Sequence, residues 1–485
     1  MPHNDARTVQ EYIDETPSWA DGTAVKDVAM TPMQIRIWGL ACAGKFFEGL
    51  VVFMTGVALP LMVVEFNLQS SDKGLVGAAS LFGILIGATA LGGLADIFGR
   101  KLMFIAEMVI FTIFLICVAL STSFAWLIFF LFAMGLALGC DYPTAHLVIS
   151  ESIPSKCRGK LVLSAFGFQA VGALVGTLIG FFILRAYDSV MDWRMMYATA
   201  IVPAILVVIG RFYVTQSSHW LVSKGRMTEA ERETEKLLRR DPAYPKKVTL
   251  AVPKVPEGGH PKAHYGKLFD KPKSRRATIF ASVPWFLQDL GTYGIGIFTP
   301  TILASTIGST NEHARNLTEI IHNDVMAAKG AAFIDILLIV GIIAAILLAD
   351  KVGRIKLQVW GFLGCAFGLV LAALSFQFTG TMQMILIFGG FMIFNFMTNM
   401  GPNAMTYLLA GEVFPTRIRG MGAGFAASFA KIGAVATAFL FPIILKDIGT
   451  ANLLYILVGT SLLGAFVTWR FQIETKGVNL EEIGV

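Results

Sequence analysis

The sequence predicts an all-α membrane protein with twelve transmembrane helices in two six-helix, pseudo-symmetric halves. Three observations carry that prediction. The 485 residues are 55% hydrophobic and only 15% charged, with a mean hydropathy of +0.66, whereas a soluble domain averages about 25% charged residues. Apolar stretches of spanning length, about 20 residues, open near residues 35, 74, 102, 124, 161 and 193, and again near 277, 326, 356, 381, 420 and 450. Two polar motifs recur at nearly the same offset in the two sets. The composition also excludes a disordered chain, which needs low hydrophobicity.

The first apolar stretch, from Ile35, has no charged run before it and no small-residue cleavage site behind it, so it is expected to stay as an anchor. The chain then divides into a polar N-terminal segment (1–34), a first half (35–214), a linker (215–276), a second half (277–471) and a tail (472–485). Basic residues crowd the loops after the second, fourth, eighth and tenth spans, Arg100, Lys101, Arg158, Lys160, Arg354 and Lys356 among them. By the positive-inside rule those loops, the linker and both termini are cytoplasmic, in a plasma or inner membrane. The net charge of +6 is then a topology signal, and nucleic acid is not needed to explain it. In the linker, Met227 to Arg240 reads as a surface helix with Thr228 as its N-cap, followed by an irregular proline-rich tether.

The repeat consists of Gly92-Gly93-Leu94-Ala95-Asp96-Ile97-Phe98-Gly99-Arg100-Lys101 against Leu347-Leu348-Ala349-Asp350-Lys351-Val352-Gly353-Arg354-Ile355-Lys356. A second pair sets Glu151 and Arg158 against Glu412 and Arg419, seven residues apart in both copies. Acids and arginines at helix ends form a gating latch in this reading, Asp96, Arg100, Glu151, Arg158, Asp350, Arg354, Glu412 and Arg419, pairing across the cytoplasmic seam. The glycines permit tight turns.

These motifs resemble the major facilitator superfamily over residues 35–482, and the tail around Glu474 looks like its sugar-porter branch. Polar residues inside spans are costly and mark function. Gly139-Cys140-Asp141-Tyr142-Pro143 lies in the fourth span. Trp285, Asp289 and Tyr293 share one face of the seventh, at i, i+4 and i+8. Asn399-Met400-Gly401-Pro402-Asn403 lies in the tenth. These runs are similar to the phosphate:proton symporter family. The resemblance implies substrate contacts at Tyr142, Gln169, Trp285, Asp289, Tyr293 and Asn399, with Asn403 nearby, and proton coupling at Glu48, Glu107 and Asp141. Lys431 in the eleventh span would supply positive charge for an anion. The family's paired acids in the first span are replaced here by Lys45 and Glu48, a change bearing on the proton route. At i and i+3 these two could instead form a plain ion pair, and Glu107 could belong to the latch. Asp335 has no counterpart in the family, and only a misaligned Lys329 lies near it in sequence.

The expected function is proton-coupled uptake of a small polar solute by alternating access, with inorganic phosphate favoured. A sugar or organic-acid symporter and a transporter-like nutrient receptor are the alternatives. No Ser/His/Asp set, HExxH or GxxxxGK[ST] is present, so neither an enzyme nor an ATP-driven pump is expected. The five cysteines are scattered singly and suggest neither disulfides nor a metal site. No cofactor is expected, and the partners are the solute, protons and the bilayer, with the chain acting as a monomer.

Overall fold

The computed structural model describes residues 6–15, 30–91, 93–240, 244–245, 247–251, 265–308, 317–414 and 418–475. Among them run twelve spans. The first half holds Pro32–Phe66, Ser70–Ile86 with its π-helical extension Gly87–Leu91, Arg100–Ala119, Phe124–Ser152, Ser155–Ala186, and a sixth made of Asp192–Thr199 and Ile201–Phe212. The second half holds Pro272–Gly308, Leu317–Val352, Arg354–Leu374 and a tenth span built from Gly380–Met400 and Pro402–Glu412. The continuous stretch Arg419–Phe471 supplies the last two, because its backbone leaves the helical region at Gly449, where φ is +80°.

Local chemistry sets the boundaries. Thr31 opens the first span with a capping box, accepting from the Gln34 amide while the Gln34 side chain accepts from Thr31 N, and Pro32 fills the first helical position. Gly99 and Gly353 turn the chain between the second and third and between the eighth and ninth spans. Their φ values, +100° and +104°, are ones that L side chains rarely adopt. The repeated motif is therefore a repeated turn. At the end away from these turns the halves press together: a Cβ on Gly56 would lie 2.2 Å from Ile297 O, and one on Gly74 would lie 2.3 Å from Phe439 O.

The linker differs from the expected tether. Its helix runs Met227–Leu238 with Arg226, not Thr228, at the N-cap. The chain turns at Gly225, where φ is +73°, so the N-cap falls two residues early, and Arg226 pairs with Glu229 at 2.5 Å. Residues 247–251 form no helix or strand beyond one bridge to Arg7, yet their backbone is tied down. Glu231 and Glu235 accept from Leu250 N (3.0 Å) and Val248 N (3.2 Å). On the other side, Arg7 N donates to Thr249 O (3.1 Å) and Arg7 O accepts from Ala251 N (2.9 Å). The N-terminal helix Val9–Asp14 continues this pad onto the fifth span, where the Asp14 carboxylate accepts from Ser155 N (2.7 Å) and Ser155 Oγ (2.8 Å).

These positions test the orientation that the basic loops imply. Thr228 and Asp188 are exposed at opposite ends of the bundle. In intact cells, a cysteine at 188 should react with a membrane-impermeant maleimide and one at 228 should react only after permeabilisation. The reverse pattern would overturn the orientation.

Candidate functional site

Spans from both halves bring six polar side chains to one point in the core. Lys45 and Glu48 are one turn apart on the first span and form an ion pair of 2.6 Å. Lys431 reaches the other Glu48 oxygen at 3.5 Å and Asp289 Oδ2 at 3.4 Å. Between them stands the Tyr293 hydroxyl, which accepts from Lys431 (2.6 Å) and Gln169 (3.0 Å) and donates to Glu48 Oε1 (2.8 Å). Its one donor and two acceptor positions are thus all used. Two ammonium groups face two carboxylates, so the cluster carries no net charge.

Small spaces flank it. Lys45, Glu48, Asp141, His146, Phe166 and Tyr407 border one, of about 20 Å³. Gln169, Thr292, Tyr293, Leu338, Asn399 and Asn403 border the other, of about 10 Å³. Asn399 is held in place there, donating to Leu338 O (2.9 Å) and accepting from Asn403 (2.6 Å).

The shared face of the seventh span divides in two. Asp289 and Tyr293 join the ionic cluster, whereas Trp285 meets Tyr407 edge-on at 6.1 Å. Tyr407 also stacks on Phe166 with ring centroids 4.5 Å apart, joining the tenth span to the fifth. Tyr407 was not among the sequence candidates. Its signal was a hydroxyl-bearing ring one turn beyond Asn403 in an otherwise apolar run. Tyr142 lies on the fourth span, but its side chain is outside the described ones.

Asp141 joins neither lysine. Arg211 of the sixth span donates to it at 2.5 Å, and also to Phe104 O (2.6 Å) and Leu40 O (3.2 Å). Its guanidinium lies 3.6 Å from the centroid of the Phe104 ring. A Cβ on Gly44 would fall 1.7 Å from Asp141 Oδ2, so the glycine makes room for the carboxylate. Sequence reasoning missed Arg211, although a lone arginine in the run Ile201–Phe212 was the signal. Glu107 accepts from Thr144 at 2.8 Å through one oxygen, and the other is buried without a hydrogen-bond partner.

The helix-end acids and arginines pair within each half, correcting the expected pairing across the seam. Arg100 meets Asp96 at 2.8 Å and Glu151 at 3.1 Å; Arg354 meets Asp350 at 3.1 Å and Glu412 at 3.5 Å. In each half the turn glycine delivers the arginine to the acid that ends the fourth or tenth span. Arg158 is not Glu151's partner, because it donates to Gln10 and Ser155 beside the N-terminal helix. Glu151 instead accepts from Ser217 at 2.5 Å, and Glu412 from Thr475. The Arg419 side chain, Arg417 and the tail beyond Thr475 lie outside the described residues.

Twelve spans in two like halves, enclosing a polar cluster fed by both, are the architecture of a membrane transporter. The family described as "Sugar (and other) transporter" matches residues 38–485, and the chain belongs to that family. It is similar to the inner membrane metabolite transport protein YgcS of Escherichia coli, at 27% identity over 94% of this chain and 95% of that one. It is 28% identical to "Probable inorganic phosphate transporter 1-6" of Arabidopsis thaliana, covering 86% of this chain and 85% of the relative. The niacin transporter NiaP of Acinetobacter baylyi is 26% identical over 91% and 94%. Among solved structures, the partially occluded inward-open xylose transporter XylE from Escherichia coli superposes with a TM-score of 0.75 at 22% identity, covering 93% of this chain and 100% of its own. This likeness fixes the fold as that of the major facilitator superfamily.

The Arg211–Asp141 pair makes a stability prediction. Deleting one partner of a buried pair costs about 3–5 kcal/mol, because the other charge is stranded. Arg211→Met should therefore lower the thermal unfolding midpoint in detergent sharply, and adding Asp141→Asn should recover most of the loss. Equal midpoints for the single and double variants would remove the pairing from the account.

Proposed function

We propose that this chain is a proton-coupled importer of a small anion, with inorganic phosphate favoured. One observation carries the reading: the Glu48 carboxylate sits between two buried ammonium groups, 2.6 Å from Lys45 and 3.5 Å from Lys431. A carboxylate so placed occupies the seat of an anion. When a proton neutralises Glu48, Lys45 and Lys431 each lose a carboxylate partner whose place an incoming anion can take, and the buried cluster keeps the same net charge with and without cargo. That matters where unbalanced charge costs several kcal/mol.

Phosphate monoanion suits the remaining groups. Its unprotonated oxygens would accept from Lys45, Lys431, Tyr293 and Gln169, and its hydroxyls would donate to Asp289. Asn399 and Asn403 add amides at the second space. Phosphate and niacin, named for two of the relatives, are both anions at neutral pH, and XylE is described as a proton:xylose symporter. A second reading, an organic carboxylate, draws support from the Phe166–Tyr407–Trp285 aromatic cluster, which would suit a flat ring. Glu107, with an unbonded buried oxygen, is the second proton acceptor in this scheme, while Asp141 is held by Arg211. The intra-half ion pairs act as the latch by keeping each half rigid as the seam opens. The basic end faces the cytoplasm, from the charge asymmetry of the loops.

Binding and uptake in proteoliposomes test this. Lys431→Ala should weaken phosphate binding about tenfold or more, since charge-assisted hydrogen bonds contribute about 1.5–3 kcal/mol. Glu48→Gln should still bind phosphate but fail to accumulate it against a gradient, whatever the pH difference. Accumulation by the wild type should collapse with a protonophore. Hexose binding that ignores Lys431→Ala, with no phosphate binding, would overturn the anion reading in favour of a neutral sugar. Selective binding of aromatic carboxylates would replace phosphate with the second reading.

A further inference from the structure

Another buried carboxylate lies outside the central cluster. Asp335 of the eighth span is 4% exposed and touches both halves. Its Oδ2 is 2.8 Å from Thr177 Oγ1 on the fifth span, and its Oδ1 lies 3.4 Å from Asn395 Nδ2 on the tenth. Thr177 Oγ1 is also 3.0 Å from Ala173 O, one turn back on its own helix. A threonine hydroxyl has one hydrogen. It cannot donate to both Ala173 O and Asp335.

The arrangement closes when Asp335 carries a proton. The Asp335 hydroxyl then donates to Thr177, Thr177 donates to Ala173 O, and Asn395 donates to the remaining carbonyl oxygen. Ionised, the same carboxylate would have two neutral neighbours and no counter-charge. Among the described residues its side-chain partners are Thr177 and Asn395, both neutral. On its own helix, Asp324 lies three turns away on the same face, and Lys329 is exposed on another. The fifth span's nearest ionisable group is Arg185, exposed at its end, and residues 380–400 of the tenth span hold none. The seventh and first spans offer Asp289, Tyr293, Lys45 and Glu48, which are engaged with one another and with Lys431. The ninth offers only Cys365, which donates to Phe394 O, and the basic residues at its start.

We propose that Asp335 is a further proton-carrying site, separate from the central cluster and from Glu107, whose proton ties the fifth and eighth spans and leaves when that seam parts. Separation would take Thr177 away and admit water, which solvates the carboxylate and favours ionisation. By linkage, acid then favours the joined seam and base the parted one, up to tenfold in their ratio per pH unit.

The test needs no substrate. Spin labels would be placed at Arg185 and His322, both exposed near the outer ends of the two spans, after replacing the five native cysteines. Using Glu48→Gln protein removes the titration of that group, so the outcome is independent of the proposed function. Distances measured by pulsed EPR should shift toward the parted population as pH rises from roughly 5 to 9. Asp335→Asn, whose amide can still donate to Thr177, should stay joined across that range. Thr177→Val, which deletes the acceptor, should weaken the joined state by about tenfold at acid pH while leaving a pH response. Infrared spectra of the same samples should show a protonated-carboxyl band at acid pH that is missing in Asp335→Asn. A pH-independent distance in the starting protein, or an unchanged pH response in Asp335→Asn, would overturn the proposal.

Discussion

Ions inside a bilayer must be balanced where they sit, because water is not there to solvate them. Much of the architecture follows from that constraint. Lys45, Lys431, Glu48 and Asp289 balance across four positions on three spans, and Arg211 crosses from the sixth span to meet Asp141 in the fourth. Each pairing fixes the rotation of the helices that supply it, since a turn of even one residue would swing a charge toward lipid. Proline at 143 in the fourth span and at 284 and 300 in the seventh is tolerated within the same geometry.

The two halves solve the problem at their basic ends in the same way. Arginine follows a left-handed glycine, meets an aspartate four residues back, and reaches the glutamate that ends the fourth span of its half. Even the third partner is matched in kind: a hydroxyl just beyond the last span of the half, Ser217 in one and Thr475 in the other, donates to that glutamate. Because these ties stay within a half, they leave the seam to other contacts, among them Tyr407 on Phe166, Thr177 by Asp335 and the close backbone approaches at Gly56 and Gly74.

Much of this was legible in the sequence wherever spacing alone carried the information. The recurrence of Asp96-Ile97-Phe98-Gly99-Arg100 and Asp350-Lys351-Val352-Gly353-Arg354 gave away the duplication, and the i, i+4 spacing of Asp289 and Tyr293 put them on one face. What spacing cannot carry is which helix comes next to which. Arg211 needed the approach of the third, fourth and sixth spans to acquire its partners. Glu151 took Arg100, distant in sequence, over Arg158, seven residues away, because Arg158 turns to the N-terminal helix. The linker from 247 to 251 looked irregular because its hydrogen bonds go to Glu231, Glu235 and Arg7 instead of to its own neighbours. Asp335 was conspicuous by its cost, but its partners on the fifth and tenth spans are invisible from one chain read in order.

The equality of charges in the central cluster also bears on what energy source could drive it. If Glu48 alone carries the transported proton as a monoanion arrives, the crossing complex bears no net charge, and the returning empty carrier bears none either. Membrane potential acts only on net charge moved, about 2.3 kcal/mol per charge per 100 mV, so it would contribute nothing to either half of the cycle. The pH difference alone would set the ceiling on accumulation, about tenfold for each unit. A cell using such a carrier would gather its anion best in acidic surroundings, and would do so as well with a depolarised membrane as with an energised one.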